Sequence, residues 1–309
     1  MHTPLQLQRV TAIAALVLST GLSQAETFRV ATYNVESYLD EAVAGRAVKS
    51  AEARAKVRES ILALKPDVLA LEEMGSLSAL EELRGSLKTN KLDFPYWEMA
   101  NGHDPAIHVC LLSRFPITAR RLHTNDTFLL SGRRYWVSRG FAEADIQVNA
   151  NYTFTIIAAH LKSKRAIGAG DEAEMRVEEA KILREHIDAR LAADPNANLV
   201  VLGDFNDTKD APSTRVILGL RSHKLVDTRP AERNGDNGLS GSAAHQARNV
   251  TWTYHFEKED TYSRVDYILL SRGMAREWIS KETYVLTIPN WGLGSDHRPI
   301  VATFEAREK

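Results

Sequence analysis

The 309-residue sequence predicts an α/β protein built on mixed β-sheets with helices outside, and two observations carry that prediction. Strand-like apolar runs alternate with helical ones over most of the chain. Both strand–helix–strand units and a hairpin signal occur among them, so parallel and antiparallel pairing must share the same sheets. A hydrophobic content of 44% supplies a real core, and the length suits one large domain or two small ones.

The elements follow in order. "FRVATYNV" opens as a strand, and "SAEARAKVRESILALK" follows with Val57, Ile61 and Leu64 at helical spacing. "PDVLALEE" is a strand, "SLSALEELRGSLK" a helix, and "AIHVCLLSRFPI" a strand again. "YWVSRGFAEADIQV" and "YTFTIIAAHL" read as strands on either side of Asn149-Ala150-Asn151, a hairpin signal. "DEAEMRVEEAKILREHIDARLAA" is a long amphipathic helix, and "NLVVLGDFN", "TWTYHF", "RVDYILL" and "RPIVATFE" are the later strands. Arg229–Asn249, rich in glycine and poor in apolar residues, reads as a long surface loop.

Residues 1–25 read as a secretory signal peptide. Arg9 precedes the apolar run "TAIAALVLSTGL", and Ser23 and Ala25 give a small-x-small cleavage pattern before Glu26. The run is short for a membrane span, so a secreted or periplasmic protein of residues 26–309, with no stable membrane insertion, is expected. The single cysteine, Cys110, allows no internal disulfide and sits in an apolar strand pattern as a small buried hydrophobe. Net charge is −1 with a pI near 6.8. Removal of the signal takes away Arg9 and no acid, which moves the charge to −2. An anionic substrate must therefore be met locally, by a metal ion or a basic pocket.

The polar residues at strand ends carry the chemistry. Asn34 closes one strand, Glu72 and Glu73 the next, and His160 another. Asp204 and Asn206 follow "LVVLG", Asp266 stands inside "RVDYILL", and Ser295-Asp296-His297 precede the last strand. Singly, each has an ordinary role as turn residue, cap or satisfied edge polar group. Together, apolar strands that end repeatedly in oxygen donors or imidazole point to one site. Asp266 among apolar neighbours requires a buried partner. An oxygen-rich donor set suits a hard cation, Mg²⁺ or Mn²⁺, and no cysteine cluster or His-x₃-His spacing competes for zinc. A histidine beside such a site, oriented by a carboxylate, fits general acid–base work.

The ordered motifs "TYNV", "PDVLALEE", "LLSRFPI", "AAHLKS", "GDFND", "RVDYILL" and "GSDHRPI" resemble the endonuclease/exonuclease/phosphatase superfamily from about Phe28 to Phe304. The resemblance implies a four-layer α/β sandwich, two mixed β-sheets face to face with helices outside, as in deoxyribonucleases. It implies Glu73 as the main metal ligand, with Asn34 and Asp296 close to it. Asp204 and Asn206 would align the attacking water and contact the phosphate. His297, held by Asp266, would bond a phosphate oxygen or act as base. His160 would stabilise the transition state or protonate the leaving oxygen.

Histidine at 160, where abasic-site repair members carry tyrosine, resembles the deoxyribonuclease-like and sphingomyelinase-like branches, and "HLKSK" is similar to bacterial secreted nucleases. Relatives of that type often carry an acid near the place of His108, which leaves the partner of His160 open. The expected function is a secreted, metal-dependent phosphodiesterase, a nuclease on DNA or RNA, with Lys162, Lys164 and Arg139 as phosphate contacts. In "GRRYWVSR", Arg133, Arg134 and Arg139 with Tyr135 and Trp136 offer a grip on a nucleic-acid backbone and base, or else a plain strand with Trp136 in the core. The alternatives are a phospholipid or small phosphate-ester hydrolase, sphingomyelinase-like or inositol-phosphatase-like, and an inactive binding protein on the same scaffold. For a lipid substrate, Trp291 and Leu293 in "IPNWGLGS" are the candidate contact.

Overall fold

Phe28 stacks on Phe154 at 5.1 Å and on Phe304 at 5.5 Å, at the centre of an apolar layer pressed between two β-sheets. The protein is seen here as a computed structural model that describes residues 26–165, 168, 170–232 and 251–307. The signal-peptide reading of residues 1–25 and residues 233–249 of the expected loop lie outside the described residues.

Strands and helices are numbered in chain order. The first sheet runs β12 (Ala231–Glu232), β16 (Trp278–Val285), β17 (Ile300–Ala306), β1 (Glu26–Tyr38), β2 (Val68–Met74), β4 (His108–Ser113), β3 (Tyr96–Ala100). The second runs β11 (Val226–Asp227), β15 (Asp266–Leu270), β10 (Leu199–Asp204), β9 (Tyr152–His160), β8 (Phe141–Asn149), β5 (Ile117–His123). Two hairpins stand apart, β6 (Thr127–Leu130) with β7 (Arg133–Trp136) and β13 (Tyr254–Phe256) with β14 (Thr261–Ser263).

Both sheets are mixed. The central parallel pairs are β1 with β2 and β9 with β10. Each is joined through a helix, α1 (Ala51–Leu64) in the first and α3 (Glu172–Ala193) in the second, as a parallel crossover requires. The Ser50 hydroxyl accepts from the Ala53 N–H at 3.1 Å to start α1, and Lys65 ends it in the left-handed region. The stripe Val57, Ile61 and Leu64 then buries against the outer face of the first sheet, beside α2 (Leu77–Thr89). On the far side, α3 and α4 (Pro212–Leu218) cover the second sheet through Leu183, Ile187 and Ile217. The result is the expected four-layer sandwich.

The period-2 alternation of strands explains where the polar residues go. Phe28 and Val30, Val68 and Ala70, Ile156 and Ala158, Val200 and Leu202, and Ile268 and Leu270 all point into the layer between the sheets. Continued by two, these files reach Thr32 and Asn34, Glu72, His160, Asp204 and Asp266. Thr32 is followed in its file by Asn34, each of the other polar residues is the terminal member of an inward-facing file, and all six are buried.

One expectation changes. "YWVSRGFAEADIQV" is not one strand: its first residues belong to the β6–β7 hairpin, and β8 begins only at Phe141. Gly140 makes the break with φ +68°, where a Cβ would meet the His123 carbonyl oxygen at 2.7 Å. Strand β3 and helix α4 are too short, at five and seven residues, and strand β16 too mixed in pattern, to be read from sequence. The hairpin at residues 149–151 forms as expected, with Asn149 paired to Tyr152.

Candidate active site

Asp204 is the meeting point of both sheets. Its register partners are His160 on β9 and Asp266 on β15, and the Asn34 amide donates to Oδ2 from the other sheet at 3.0 Å. The strand can deliver this carboxylate only because Gly203, at φ +130°, has no side chain. A Cβ there would lie 1.9 Å from the Ala159 carbonyl oxygen. Beyond Asp204 the backbone turns, with Asn206 at φ +54°. The Asn206 N–H donates to Asp204 Oδ1 at 2.8 Å, and its amide donates to Leu161 O at 3.0 Å and Asp204 Oδ2 at 3.2 Å. Asn34 and Asn206 thus hold Asp204 from two sides. Burial, with the like charge of Asp266, pushes the Asp204 pKa up to about 7 despite the nearby His297.

His297 and Asp266 form a buried pair at 2.9 Å between Nδ1 and Oδ2. The other ring nitrogen lies 3.7 Å from Asp204 Oδ2 and 3.9 Å from Asp296 Oδ1. Burial disfavours a charged ring, yet Asp266, Asp204 and Asp296 together outweigh it and hold the His297 pKa well above its ordinary value. The turn that carries the ring is tied down. The Ser295 hydroxyl donates to Asn34 O at 2.7 Å and accepts from the His297 N–H at 3.0 Å. Tyr254 packs its ring 4.7 Å from the imidazole, and the Thr253 hydroxyl accepts from the Asp266 N–H at 3.2 Å. Neither Thr253 nor Tyr254 has a sequence signal beyond its strand.

Glu73 escapes the alternation that sends Glu72 inward. At φ +62°, with the strand register shifting on both sides of β2, its side chain turns to the cleft. Ser37 donates to Glu73 Oε2 from N–H and hydroxyl, both at 3.0 Å, and His160 Nε2 is 4.0 Å from Oε1. Asp296 remains partly exposed, and burial together with the charge of Glu73 raises its pKa. Two carboxylates that face one cleft and repel each other are the donor set of a hard divalent cation, so the residues fit such an ion. The Asn34 side-chain oxygen already accepts from the Glu36 N–H at 2.9 Å. In the cleft, Asp204, Asp266 and His297 bring ligand atoms within 4.8 Å of one another. A separate cluster, His123, Asp126 and His186, joins β5 to α3, and both its imidazoles are bonded to carboxylates at 2.7 Å.

His160 is buried with Nε2 3.5 Å from Asp204 Oδ2. Its Nδ1 has no hydrogen-bond partner among the described residues, so the missing acid noted at His108 leaves this ring without an orienting carboxylate. Burial and the charges of Arg139, His297, Arg46 and Lys162 hold its pKa well below the ordinary value, which favours the neutral ring.

The basic residues are placed less simply. The Lys162 ammonium donates to Ser163 O at 3.0 Å and Arg165 O at 2.9 Å, inside its own loop. Arg139 is buried, 3.5 Å from Asp104, and donates to Leu161 O at 3.3 Å. Helix α3 supplies two residues that amphipathic spacing did not reveal. Buried Glu179 accepts from the N–H groups of Ser138 at 3.0 Å and Lys162 at 2.6 Å. Arg176 donates to Lys162 O at 2.9 Å and Asp207 at 3.1 Å. Asp207 is thereby an anchor of the loop, and Asp210 stays on the surface.

Comparison with known proteins agrees with this architecture. No curated protein matches. Sphingomyelinase C from Streptomyces griseocarneus superposes with a TM-score of 0.59 at 18% identity, over 91% of this chain and 100% of that one. Truncated Caenorhabditis elegans TDP2 gives 0.60 at 16% over 91% and 98%. The human Nocturnin catalytic domain gives 0.61 at 16% over 91% and 95%. At these identities the likeness speaks for the fold. The sequence itself matches the Endonuclease/Exonuclease/phosphatase family over residues 31–297, from within β1 to the cleft histidine, and the protein belongs to that family of phosphoesterases.

Proposed function

We propose that this protein is a secreted, divalent-metal-dependent phosphodiesterase that hydrolyses DNA or RNA. The observation that carries the reading is the convergence of Asp204, His160 and the His297–Asp266 pair beside the Glu73 and Asp296 carboxylates. Glu73 and Asp296 would hold Mg²⁺ or Mn²⁺, which supplies positive charge against the phosphate when bound. Asp204, with a pKa near neutrality, takes a proton from the attacking water, while Asn34 and Asn206 fix its direction. The charged His297 donates to a non-bridging phosphate oxygen, and Asp266 holds the ring in place. The neutral His160 donates from Nε2 to the oxygen on which charge develops, a role suited to a hydrogen-bond donor more than to a strong acid.

One observation favours nucleic acid over a lipid surface. Trp291, the main candidate for lipid contact, packs on Trp252 at 5.3 Å, and Trp252 is covered in turn by the Arg298 guanidinium at 3.4 Å. Leu293 and Tyr262, the latter edge-on to Trp252 at 4.8 Å, are left exposed, a small apolar surface with which to hold a membrane. Among the described residues no helix is long and apolar enough to cross one. The filled set of cleft residues also weighs against a binding protein on an inactive scaffold.

The test is hydrolysis by residues 26–309 with Mg²⁺ or Mn²⁺ added or chelated, against Glu73→Gln. Supercoiled plasmid, single-stranded RNA and a sphingomyelin dispersion are assayed in parallel. Metal- and Glu73-dependent cutting of nucleic acid is expected. Intact nucleic acid with hydrolysed lipid keeps the mechanism and replaces the substrate.

A further inference from the structure

Trp136 lies 43% exposed on the isolated β6–β7 hairpin, although it is the kind of residue that a fold buries when it can. A two-stranded ribbon explains part of this, because only one of its faces reaches the body of the protein. Phe128 takes the buried face and stacks with Tyr135 at 5.7 Å. The indole is nonetheless ordered by a neighbour: His103 stacks on it at 4.8 Å with the rings 11° from parallel. That stack is built by backbone. The Asp104 N–H donates to Ser138 O at 2.7 Å, and Gly102 approaches Arg139 so closely that a Cβ would lie 2.2 Å from its carbonyl carbon.

The stack forms one wall of a groove of about 370 Å³, whose other lining includes Asp104, Arg133, Arg134 and Tyr135. The groove borders the catalytic cleft. Asp104 Oδ2 is 3.5 Å from Arg139 and 4.0 Å from Arg46, and Arg46 in turn is 4.0 Å from Glu73. A flat aromatic pair flanked by guanidinium groups, one ion-pair chain away from a phosphodiester site, matches a nucleotide in shape and charge. The indole takes a base on its face and the arginines take the flanking phosphates.

Resting on the nuclease reading above, we infer that this groove binds an unpaired nucleobase next to the scissile phosphate, so that the enzyme prefers single-stranded DNA or RNA. In a duplex, a base is stacked and paired and cannot enter a side groove without being flipped out. The arginines alone would serve either form. The aromatic pair is what discriminates.

The experiment uses residues 26–309 in the Glu73→Gln background, so that binding is read without turnover. Anisotropy of labelled 12-nucleotide DNA and RNA strands, and of a 12-base-pair duplex, is measured for Glu73→Gln alone and with Trp136→Ala or Trp136→Phe. Trp136→Ala is expected to weaken single-strand binding at least about fivefold and duplex binding by less than about twofold, with Trp136→Phe close to the parent. In the cleaving enzyme the same change raises KM for the single strand more than it lowers kcat. The two readings fail differently. If the wild type cuts neither DNA nor RNA, the nuclease reading falls and the groove with it. If the wild type cuts nucleic acid but Trp136→Ala binds and cuts strand and duplex as before, only the groove assignment falls. Equal losses on strand and duplex would also overturn it, because they would mark Trp136 as structural.

Discussion

The Asp266 carboxylate lies 2.9 Å from His297 Nδ1, and that single contact turns the ring's other nitrogen toward Asp204, 3.7 Å away across the mouth of the second sheet. An imidazole so held carries its charge in a buried place, because three carboxylates surround it. Its charge also counters the repulsion between Asp204 and Asp266, whose backbones are direct neighbours. Each group is stable only in the company of the others. Structural residues tolerate single replacements better than such a cluster does.

Replacement of Asp266 by Asn keeps shape and removes charge. The ring loses both its orientation and part of the support for its proton. Hydrolysis is expected to fall by about 10²–10⁴-fold in kcat with little change in KM. The imidazole proton resonances of His297, followed by NMR, should titrate at lower pH than in the wild type. An unchanged titration would deny that Asp266 sustains the charge.

Glu73→Gln tests the cation directly. The variant should lose at least about a hundredfold in affinity for Mn²⁺, more than loss of an outer-shell partner typically costs. Thermal melts with and without Mn²⁺ give a readout free of activity: the wild type gains stability from the ion and the variant does not. Equal gains in both would move the ion away from Glu73.

Glu72 is buried between the sheets, where the Thr32 hydroxyl donates to Oε1 at 2.7 Å and Oε2 has no partner among the described residues. Burial, added to the charges of Asp266 and Asp204, holds its pKa well above 4.5. The unfolded chain releases this proton near pH 4.5, and the folded protein does so only at higher pH. Stability from this group is therefore full below pH 4.5 and declines as pH rises toward the folded value. Glu72→Gln, in the presence of a chelator, should raise Tm by ~2–4 °C at pH 8 and by less at pH 5. A Tm gain equal at both pH values would show that the carboxyl is not held neutral.

Gly203→Ala addresses the delivery of Asp204. With φ at +130° and a contact of 1.9 Å to the Ala159 carbonyl oxygen, an added methyl forces β9 and β10 apart. The cost is about 3 kcal/mol or more, enough to lower Tm by roughly 6–12 °C or to leave little folded protein. Circular dichroism melts decide it. A variant that melts within about 2 °C of the wild type contradicts the close pairing of these strands.

The sequence by itself carried the family, the sandwich and the polar residues that meet in one cleft. The reason is periodic: Glu72, His160 and Asp204 each stand two residues past an inward-facing apolar residue, Asp266 stands two before Ile268, and Asn34 continues the file of Val30 and Thr32, so the alternation that builds the core also aims them at one end of it. Less regular features escaped it. The strand expected over residues 135–148 breaks at Gly140, because a positive φ leaves no mark in hydrophobic pattern. Glu179 and Arg176 lie on a helix that reads as amphipathic, and nothing in a 3.6-residue repeat says that a charged residue faces buried backbone N–H and carbonyl groups. The choice between Glu72 and Glu73 illustrates the division. Motif resemblance pointed to Glu73, but only the tertiary structure shows why: a left-handed residue at a register shift turns one carboxylate to the cleft and leaves its neighbour sealed between the sheets. Local pattern fixes which residues lie at the strand ends. Which of their atoms meet is decided by the distant segments, Ser37, Thr253 and Ser295 among them, that close around those ends and supply the hydrogen bonds which buried polar groups demand.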